Sequence, residues 1–243
     1  MLSRQPKVTI NPIYVLNPKR KSFHNELHAI QKIIDLLKQK PDTKAEITPV
    51  QIINLSDIEI DSEIREARQL LSKQIGGLGY QYDYLSSLAK AHGQIGLGLE
   101  KAPDTGSDVG AVATIRKNGG LIKKAGFYYL NTQKATPEAK LVFQNMFFPV
   151  IDTTEVQMRK NFESWGYHDI MQNTWFCHSP INGQPCGLCR PCEEKMSSDM
   201  ESLLPPKAQT RYFKAQKLHI FGKSLSRRIK NLTIWLLSHF AKH

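Results

Sequence analysis

The sequence predicts an α/β protein with a mainly parallel sheet and helices on both faces. Short apolar runs bounded by turn residues alternate with segments that carry apolar residues at helical spacing, a pattern typical of βαβ units. At 243 residues the chain is long enough for one medium-sized domain, alone or with an appendage. With 40% hydrophobic and 23% charged residues, the composition is that of a globular protein and not of a low-complexity or fibrous chain.

The first third of the chain contains two predicted strand–helix pairs. β-Branched and aromatic residues predict a strand over residues 8–16, with Pro12 at its start or at a bulge. Ser22 is predicted to cap the helix that follows, which has one apolar stripe at helical spacing. Residues 50–55 form a second predicted strand, and Asp61 is predicted to cap a second helix.

Glycines divide the middle of the chain. We interpret Gly76-Gly77-Leu78-Gly79 as a turn between two helices, because a phosphate-binding loop follows a strand and here a helix precedes. A helix over residues 82–91 and a strand over residues 94–99 are predicted next. Residues 102–120 are rich in Gly, Asp and Ser and are predicted to form a mobile surface loop.

Further elements are predicted before the cysteines. Residues 127–130 are predicted to form a short strand, and a helix with proline in its first turn is predicted over residues 136–146. Residues 147–151 form the last predicted strand. Asp152 and Glu155 have the spacing of a capping box, which predicts that another helix starts there.

All four cysteines lie in one short segment with the spacing Cys-x8-Cys-x2-Cys-x2-Cys. They are Cys177, Cys186, Cys189 and Cys192. Thiolates are the soft ligands that tetrahedral Zn²⁺ prefers, and four of them close its coordination shell. Gly187 supplies the permissive backbone that lets neighbouring N–H groups hydrogen-bond the sulfurs. Two disulfides or four unrelated buried thiols are the alternatives. Because the sequence has no secretion signal, we predict one structural zinc ion per chain, without contact to substrate.

The segment around the cysteines resembles the zinc motif of 7-cyano-7-deazaguanine synthases, the ATP-dependent enzymes that make the nitrile precursor of queuosine. The resemblance is carried by Thr174-Trp175-Phe176-Cys177 and by Pro185-Cys186-Gly187-Leu188-Cys189-Arg190-Pro191-Cys192. Residues 148–155 resemble the family's segment before the helix that leads to the zinc loop. Pro12-Ile13-Tyr14 and Glu26-Leu27-His28-Ala29 resemble its second strand and the helix that follows.

The resemblance is specific over residues 148–192, moderate over residues 10–40 and weak between them. It implies an adenine nucleotide alpha hydrolase-like fold of the PP-loop superfamily. It also implies an ATP-dependent ligase that converts a carboxylate, such as that of 7-carboxy-7-deazaguanine, to an amide and then to a nitrile. The implied partners are ATP with Mg²⁺ and a deazaguanine-type small molecule.

The chain departs from this family at the ATP loop. The family's first strand ends in Ser-Gly-Gly-x-Asp-Ser, which does not occur here, and the first strand of this chain matches the family's second. Because that missing strand is central in the family's sheet, flanked by the second and fourth, two buried edges would lack a partner. We expect these edges to be covered by a different pairing of the strands, by residues 1–7 or by another chain, unless a longer protein carries the loop upstream. Lys19, Arg20 and Lys21 are candidates for phosphate binding, the alternative being three solvated side chains.

The net charge of +11 is concentrated at the C-terminal end. Residues 207–243 contain nine Lys and Arg and no Asp or Glu, which leaves +2 for the first 206 residues. This basic segment is predicted to dock on the body or on the partner subunit of a homodimer, to bind nucleic acid, or to lie on an anionic membrane. Three regions are therefore predicted: a nucleotide-binding-like body lacking the first strand and loop over 1–170, a zinc-binding region over 171–204, and a basic amphipathic helical tail over 205–243.

Two functions are open on the sequence alone. The first is a diverged 7-cyano-7-deazaguanine synthase with the chemistry that the resemblance implies. The second is a non-catalytic, zinc-stapled relative that binds a protein or nucleic-acid partner through its basic tail, and a stand-alone zinc-knuckle RNA binder is a third idea. No apolar run reaches the length of a membrane span, and with no signal peptide the protein is predicted to be cytoplasmic.

Overall fold

The computed structural model describes residues 2–101, 109–198 and 200–217. Over these residues the protein is α/β, with small parallel and mixed sheets. The chain divides into two compact units, and the domain bounds expected from the sequence stay a prediction. Unit 1 comprises Met1–Asn17 and Asp42–Met171, and unit 2 comprises Pro18–Pro41 and Gln172–His243.

Unit 1 begins with two short parallel strand pairs. β1 (Thr9–Ile10) pairs with β3 (Glu46–Ile47), and β2 (Ile13–Leu16) pairs with β4 (Gln51–Asn54). Paired residues are 37 positions apart in the first pair and 38 in the second, so one extra residue bulges between β3 and β4. Pro12 has no N–H to donate to a ladder and lies between β1 and β2, so the single strand predicted over residues 8–16 is two strands in the structure.

The third sheet of unit 1 is mixed and has the strand order β5-β8-β7-β6. β5 (Ile95–Gly96) is parallel to β8 (Met146–Phe148), and β7 (Phe127–Leu130) is antiparallel to both of its neighbours. β6 (Leu121–Lys124) joins β7 through Ala125-Gly126, where both residues have positive φ, as a two-residue hairpin turn with the favoured twist requires. The predicted strand over residues 127–130 is confirmed, whereas β6 was not predicted.

The predicted α/β class is confirmed, but one mainly parallel sheet is not what the described residues form. Over the described residues the strands form three separate sheets, in which β2 has only β4 as a strand neighbour and β5 has only β8. Residues 2–7 do not repair the sheet, because Leu2–Arg4 forms a 3₁₀ turn and no strand begins before β1. Strands of two to four residues provide little ladder to join these pieces, and the β6–β7 hairpin adds antiparallel pairing.

Helices supply most of the core of unit 1. α2 packs against α5, α3 and α4, and the centre of this packing contains fully buried residues such as Leu71, Ile115 and Phe143. The helices that begin and end within the described residues are α1 (Phe23–Gln39), α2 (Ser62–Ile75), α3 (Gln81–His92), α4 (Gly110–Lys117), α5 (Pro137–Phe143), α6 (Glu155–Ser164), α7 (His168–Gln172) and α8 (Arg190–Met196).

Of two predictions about the middle of the chain, one is confirmed and the other is wrong in part. The glycine-rich run 76–79 is the predicted turn between helices, because α2 ends just before it and α3 begins just after it. The predicted surface loop over 102–120 is wrong where it overlaps α4, whose Thr114 and Ile115 are buried. Sequence composition misled here because glycines bracket a short helix, while residues 102–108 lie outside the described part of the chain.

Two predicted caps are also corrected. The capping box before α6 is formed by Thr154 and Gln157, each side chain bonding the other's backbone N–H, and not by Asp152 and Glu155. Asp152 instead accepts a 2.6 Å hydrogen bond from the Tyr128 hydroxyl, which lowers the pKa of this carboxyl below its usual value. Ser22 precedes α1 as expected, but its hydroxyl donates to Glu26 at 2.6 Å and caps no backbone N–H.

Asp61 caps α2 as the sequence predicts. One carboxylate oxygen accepts from the backbone N–H groups of Glu63 (2.9 Å) and Ile64 (3.2 Å), and the other accepts from the Lys90 ammonium at 2.6 Å. The hydrogen bond from Lys90, followed by that from the Ile64 N–H, lowers the pKa of Asp61. The cap therefore stabilises the fold only while this carboxylate is ionised.

We expect Asp61→Ala to lower the free energy of unfolding by about 1–2 kcal/mol, the usual effect of losing such a cap. Because the folded-state pKa lies below the unfolded one, the stabilisation is complete above the unfolded pKa of about 3.9 and is lost as pH falls through the folded value. Urea titrations at neutral and acidic pH measure both effects. Glu66→Ala, on the exposed face of α2, is the matched control, and equal losses in the two variants would refute the cap's contribution.

Candidate metal centre

Unit 2 brings the four cysteine sulfurs together. The Sγ atoms are 3.5 Å apart for Cys189 and Cys192, 3.9 Å for Cys186 and Cys192, and 3.9 Å for Cys177 and Cys189. All four lie within 4.8 Å of one another. Four sulfurs at about 2.3 Å from a zinc ion stand at the corners of a tetrahedron with edges of ~3.8 Å. The cluster therefore has the size that a tetrahedral Zn²⁺ site requires.

The donor set also fits zinc. All four residues are free thiols, and their separations are far longer than the ~2.05 Å of a disulfide, so the two-disulfide alternative is not what the chain adopts here. Four sulfur donors suit Zn²⁺ and do not suit the hard cations Mg²⁺ and Ca²⁺. A zinc ion held by four thiolates has no open position, so it would crosslink the chain and would not bind substrate.

The first two ligands flank a hairpin that the sequence specifies locally. Asn182 and Gly183 both have positive φ (50° and 73°), and Ile181 and Gln184 exchange two backbone hydrogen bonds of 2.9 and 3.1 Å. Asn-Gly is the favoured dipeptide for such a two-residue turn. The side chain of Asn25, from α1, donates to the Gly183 carbonyl at 3.1 Å and ties this turn to α1.

The last two ligands sit at the start of α8. Cys189 is its N-cap residue, and Cys192 lies in its first turn. Pro191 stands at the beginning of this helix, where its missing N–H is not needed. The Cys-x2-Cys spacing thus points both sulfurs toward the same space as the helix begins.

Backbone N–H groups surround the sulfurs, as the glycine in the motif predicts. Cys186 N–H donates to the Cys177 sulfur at 3.2 Å, while Leu188 N–H (3.3 Å) and Cys189 N–H (3.2 Å) donate to the Cys186 sulfur. Such bonds stabilise negative charge on a metal-bound thiolate. Short, chain-local turns therefore provide part of the electrostatic support for the centre.

The thiol pKa values of the metal-free cluster differ from one cysteine to the next. Burial raises the pKa of Cys177 to about 11 and also raises that of Cys192. At Cys189 burial acts in the same direction, but hydrogen bonds from the Cys192 and His178 N–H groups outweigh it and lower the pKa. At neutral pH at least two sulfurs therefore carry protons until a cation displaces them, so metal binding must release protons.

Two separate features of the structure require glycine at position 187. Its φ of +76° lies in the left-handed region, and an added Cβ would stand 2.1 Å from the backbone oxygen of Ala208. Ala208 is itself fully buried, in a helix that covers residues 206–217. The cysteine knuckle (residues 177–192) and this helix thus approach each other backbone to backbone, which only glycine permits.

Arg211 fastens the same helix to the knuckle. Its guanidinium donates to the carbonyl of Cys186 at 2.7 Å and to that of Pro185 at 2.9 Å. A tetrathiolate zinc site carries a net charge of −2, so a cation at this position also offsets its charge. Sequence reasoning missed this residue, because one arginine in a basic segment is indistinguishable from its solvated neighbours before the fold is known.

Aromatic residues next to the first cysteine complete the surroundings. The Trp175 indole donates to the Cys177 carbonyl at 2.7 Å. Lys195 is 8% exposed, and its ammonium lies 5.5 Å from the centre of the Phe176 ring. A buried lysine over an aromatic face adds a second cation beside the cysteines.

The basic loop before α1 contains the three residues predicted to bind phosphate. Lys19, Arg20 and Lys21 are exposed, and the Arg20 Nε lies 2.8 Å from a carboxylate oxygen of Glu26. The same Nε is 3.3 Å from the Ser22 hydroxyl oxygen. Arg20 is therefore engaged within unit 2, and the phosphate role of the three residues stays a prediction.

No protein-family model, curated protein or solved structure matches this chain. Among the helices that the structure describes, none has the length and apolarity needed to cross a bilayer. Most of the predicted basic tail, residues 218–243, lies outside the described residues. Functional assignment therefore depends on the residues of the metal centre and of the sheets.

We expect elemental analysis of protein purified without chelator to give one zinc per chain, and Cys189→Ala to abolish both metal retention and the folding of unit 2. Removing one ligand opens the shell and leaves three sulfurs in a small buried cluster. Leu188→Ala, which trims an exposed side chain between two ligands, is the control and retains zinc. Protein that folds without any bound metal would contradict the prediction.

Two glycine substitutions separate backbone strain from helix docking. Gly187→Ala and Gly183→Ala place a Cβ at similar positive φ, but only the first meets Ala208, since nothing lies within 4 Å at Gly183. We expect Gly183→Ala to cost roughly 1–2 kcal/mol from the left-handed conformation alone. We expect Gly187→Ala to cost several-fold more and to weaken zinc retention, measured by competition with a chelator. Equal effects would mean that the contact with Ala208 is unimportant.

Proposed function

We propose that this protein is a 7-cyano-7-deazaguanine synthase-like protein of 7-deazapurine (queuosine-type) metabolism, located in the cytoplasm and stapled by one structural zinc ion. The observation that carries the proposal is the four-sulfur cluster of tetrahedral size on the Cys-x8-Cys-x2-Cys-x2-Cys spacing. The free thiols favour a reducing compartment.

The arrangement of strands supports the same kinship. In the family that the sequence resembles, a central strand lies between the second and fourth strands. β2 is the strand that resembles the family's second strand, and over the described residues it has a single parallel neighbour, β4. One of its edges is therefore without a strand partner among those residues, as expected where the family has its central strand.

The proposed activity is the ATP-dependent conversion of a carboxylate to a nitrile. The carboxylate oxygen of 7-carboxy-7-deazaguanine attacks the α-phosphorus of ATP and releases pyrophosphate, and ammonia then displaces AMP to give the amide. A second ATP adenylates the amide oxygen, and loss of AMP and protons leaves the nitrile. Adenylation is needed because a carboxylate is a poor electrophile, and positioning of the charged groups does most of the catalytic work.

A second candidate function is favoured by what the 243 residues contain. Ser-Gly-Gly-x-Asp-Ser is absent from them, and Arg20, in the basic loop, is paired with Glu26. A non-catalytic, zinc-stapled relative would need neither feature. It would bind a protein or nucleic-acid partner through residues 207–243, where the positive charge is densest.

Turnover separates the two candidates. With ATP, Mg²⁺, ammonium and 7-carboxy-7-deazaguanine, the enzyme candidate produces two AMP per nitrile, which mass spectrometry of the products measures. Production of AMP must depend on the deazaguanine acid. No acid-dependent AMP would overturn the first candidate and favour the second.

The basic loop is tested in the same assay. If it binds phosphate, Lys19→Ala combined with Lys21→Ala raises the KM for ATP, because two positive charges leave the binding site. Lys32→Ala combined with Lys38→Ala, on the exposed face of α1, removes the same charge and is the matched control. An unchanged KM in the first variant would remove the loop from the site.

A further inference from the structure

The whole net charge of the protein belongs to unit 2. Unit 1 contains 16 Lys and Arg and 16 Asp and Glu, whereas unit 2 contains 17 Lys and Arg and 6 Asp and Glu, and 17 − 6 accounts for the +11. Basicity therefore starts before the tail, since Pro18–Pro41 alone has six cations and two anions. After Glu201 no acidic residue follows in the chain. Such a one-sided distribution attracts polyanions.

The helix over residues 206–217 has two distinct faces. Its inner face carries Ala208 and Arg211, which contact the knuckle. Its outer face carries exposed residues at intervals of three or four, the spacing of a single helical stripe. These outward residues are Lys207, Thr210, Phe213, Lys214 and Lys217.

Phe213 is the unusual member of this stripe. It is 55% exposed, although phenylalanine is normally buried, and it lies beside two lysines. The neighbouring Tyr212 ring contacts it edge-on, with ring centres 5.5 Å apart and planes at 71°. This contact restrains the phenyl ring, while more than half of the Phe213 side chain stays exposed.

We propose that the outward face of helix 206–217 binds single-stranded nucleic acid, with a base stacked on Phe213 and the backbone phosphates paired with Lys207, Lys214 and Lys217. These lysines span ten residues, or about 15 Å of helix. A positively charged stripe that holds an exposed aromatic ring is the combination that proteins use for unpaired strands, since every base has a stackable face. Zinc contributes by fixing the knuckle on which this helix rests.

A membrane surface is the less favoured partner for this face. An interfacial helix buries a continuous apolar stripe in the lipid, whereas here one phenylalanine stands among lysines and a threonine. Duplex nucleic acid is also disfavoured, because its paired bases cannot stack on an exposed ring without being unstacked. The inference deepens the binding role of the second candidate function and does not depend on catalysis.

Fluorescence anisotropy of the zinc-loaded 243-residue protein with labelled 20-nucleotide single strands of RNA and DNA tests this. We expect binding that weakens with salt, and we expect Lys207→Ala/Lys214→Ala/Lys217→Ala to weaken it at least tenfold and to reduce the slope of log K against log salt by about 2, from ~0.7 per phosphate contact. The triple variant Lys73→Ala/Lys124→Ala/Lys134→Ala removes the same charge from exposed sites of unit 1 and leaves binding near the wild-type level.

Phe213 provides the more specific readout. Phe213→Ala and Phe213→Leu should each weaken binding about fivefold or more, because leucine keeps apolar surface but cannot stack. Zinc content and circular dichroism, unchanged in all variants, confirm that the knuckle is intact. An unaltered affinity in both Phe213 variants, or equal losses in the two lysine triples, would overturn the proposed site.

Competing ligands decide the class of partner. A duplex of the same sequence and vesicles of phosphatidylserine and phosphatidylcholine should compete poorly with the labelled strand. Preferential binding to the vesicles would overturn the proposal in favour of a membrane surface. Because no substrate turnover enters these measurements, absence of nitrile synthesis leaves the outcome unaffected, and failed binding says nothing against the enzyme candidate.

Discussion

The gathering of four cysteine sulfurs, close enough together to hold one metal ion, is the constraint around which unit 2 is organised. Its buried apolar cluster has five members, of which three are the cysteines 177, 186 and 192 and the others are Leu204 and Ala208. So small a cluster buries little hydrocarbon, and small domains of this kind are commonly held by metals or disulfides. Without a cation these sulfurs have only weak partners, namely backbone N–H groups and one another. A metal ion bound here would add a crosslink where the buried apolar cluster is small.

Around the cysteines, close backbone contacts and hydrogen bonds to backbone carbonyls hold the chain, where a larger domain would rely on side-chain packing. Gly187 lets the Ala208 backbone come close, and Arg211 bonds carbonyls on the same knuckle. The helix over residues 206–217 is thereby held by contacts that need the cysteine loop in its folded form. The outer side of that helix is therefore presented on the cysteine loop through these contacts.

Unit 1 is organised on other principles. Its core is formed by α2, α3, α4 and α5 with the short strands β5 and β8, all of conventional apolar packing. Its charges balance, and its described strands form three small separate sheets, of which two are parallel pairs. The two units thus pose separate questions: unit 1 bears on kinship with nucleotide-binding enzymes, and unit 2 on the partner of a basic surface.

The sequence by itself determined the features that depend on neighbours along the chain. The clustering of the cysteines, the Asp61 cap and the turn at residues 76–79 are local, so residue type and spacing sufficed to predict them. Composition alone misplaced a surface loop over α4, and pattern alone chose Asp152 where Thr154 forms the cap. Burial of Thr114 and Ile115 decided the first case, and the hydrogen bond from Tyr128 to Asp152 decided the second.

Only the tertiary structure decided which distant residues share a site. It set the Gly187 contact with Ala208, the bonds of Arg211 and the pairing of Arg20 with Glu26, none of which has a signature along the chain. It also separated the strands into three sheets and grouped α1 with the cysteines. These facts depend on long-range packing, in which a side chain's partner is chosen by space and charge and not by distance in sequence.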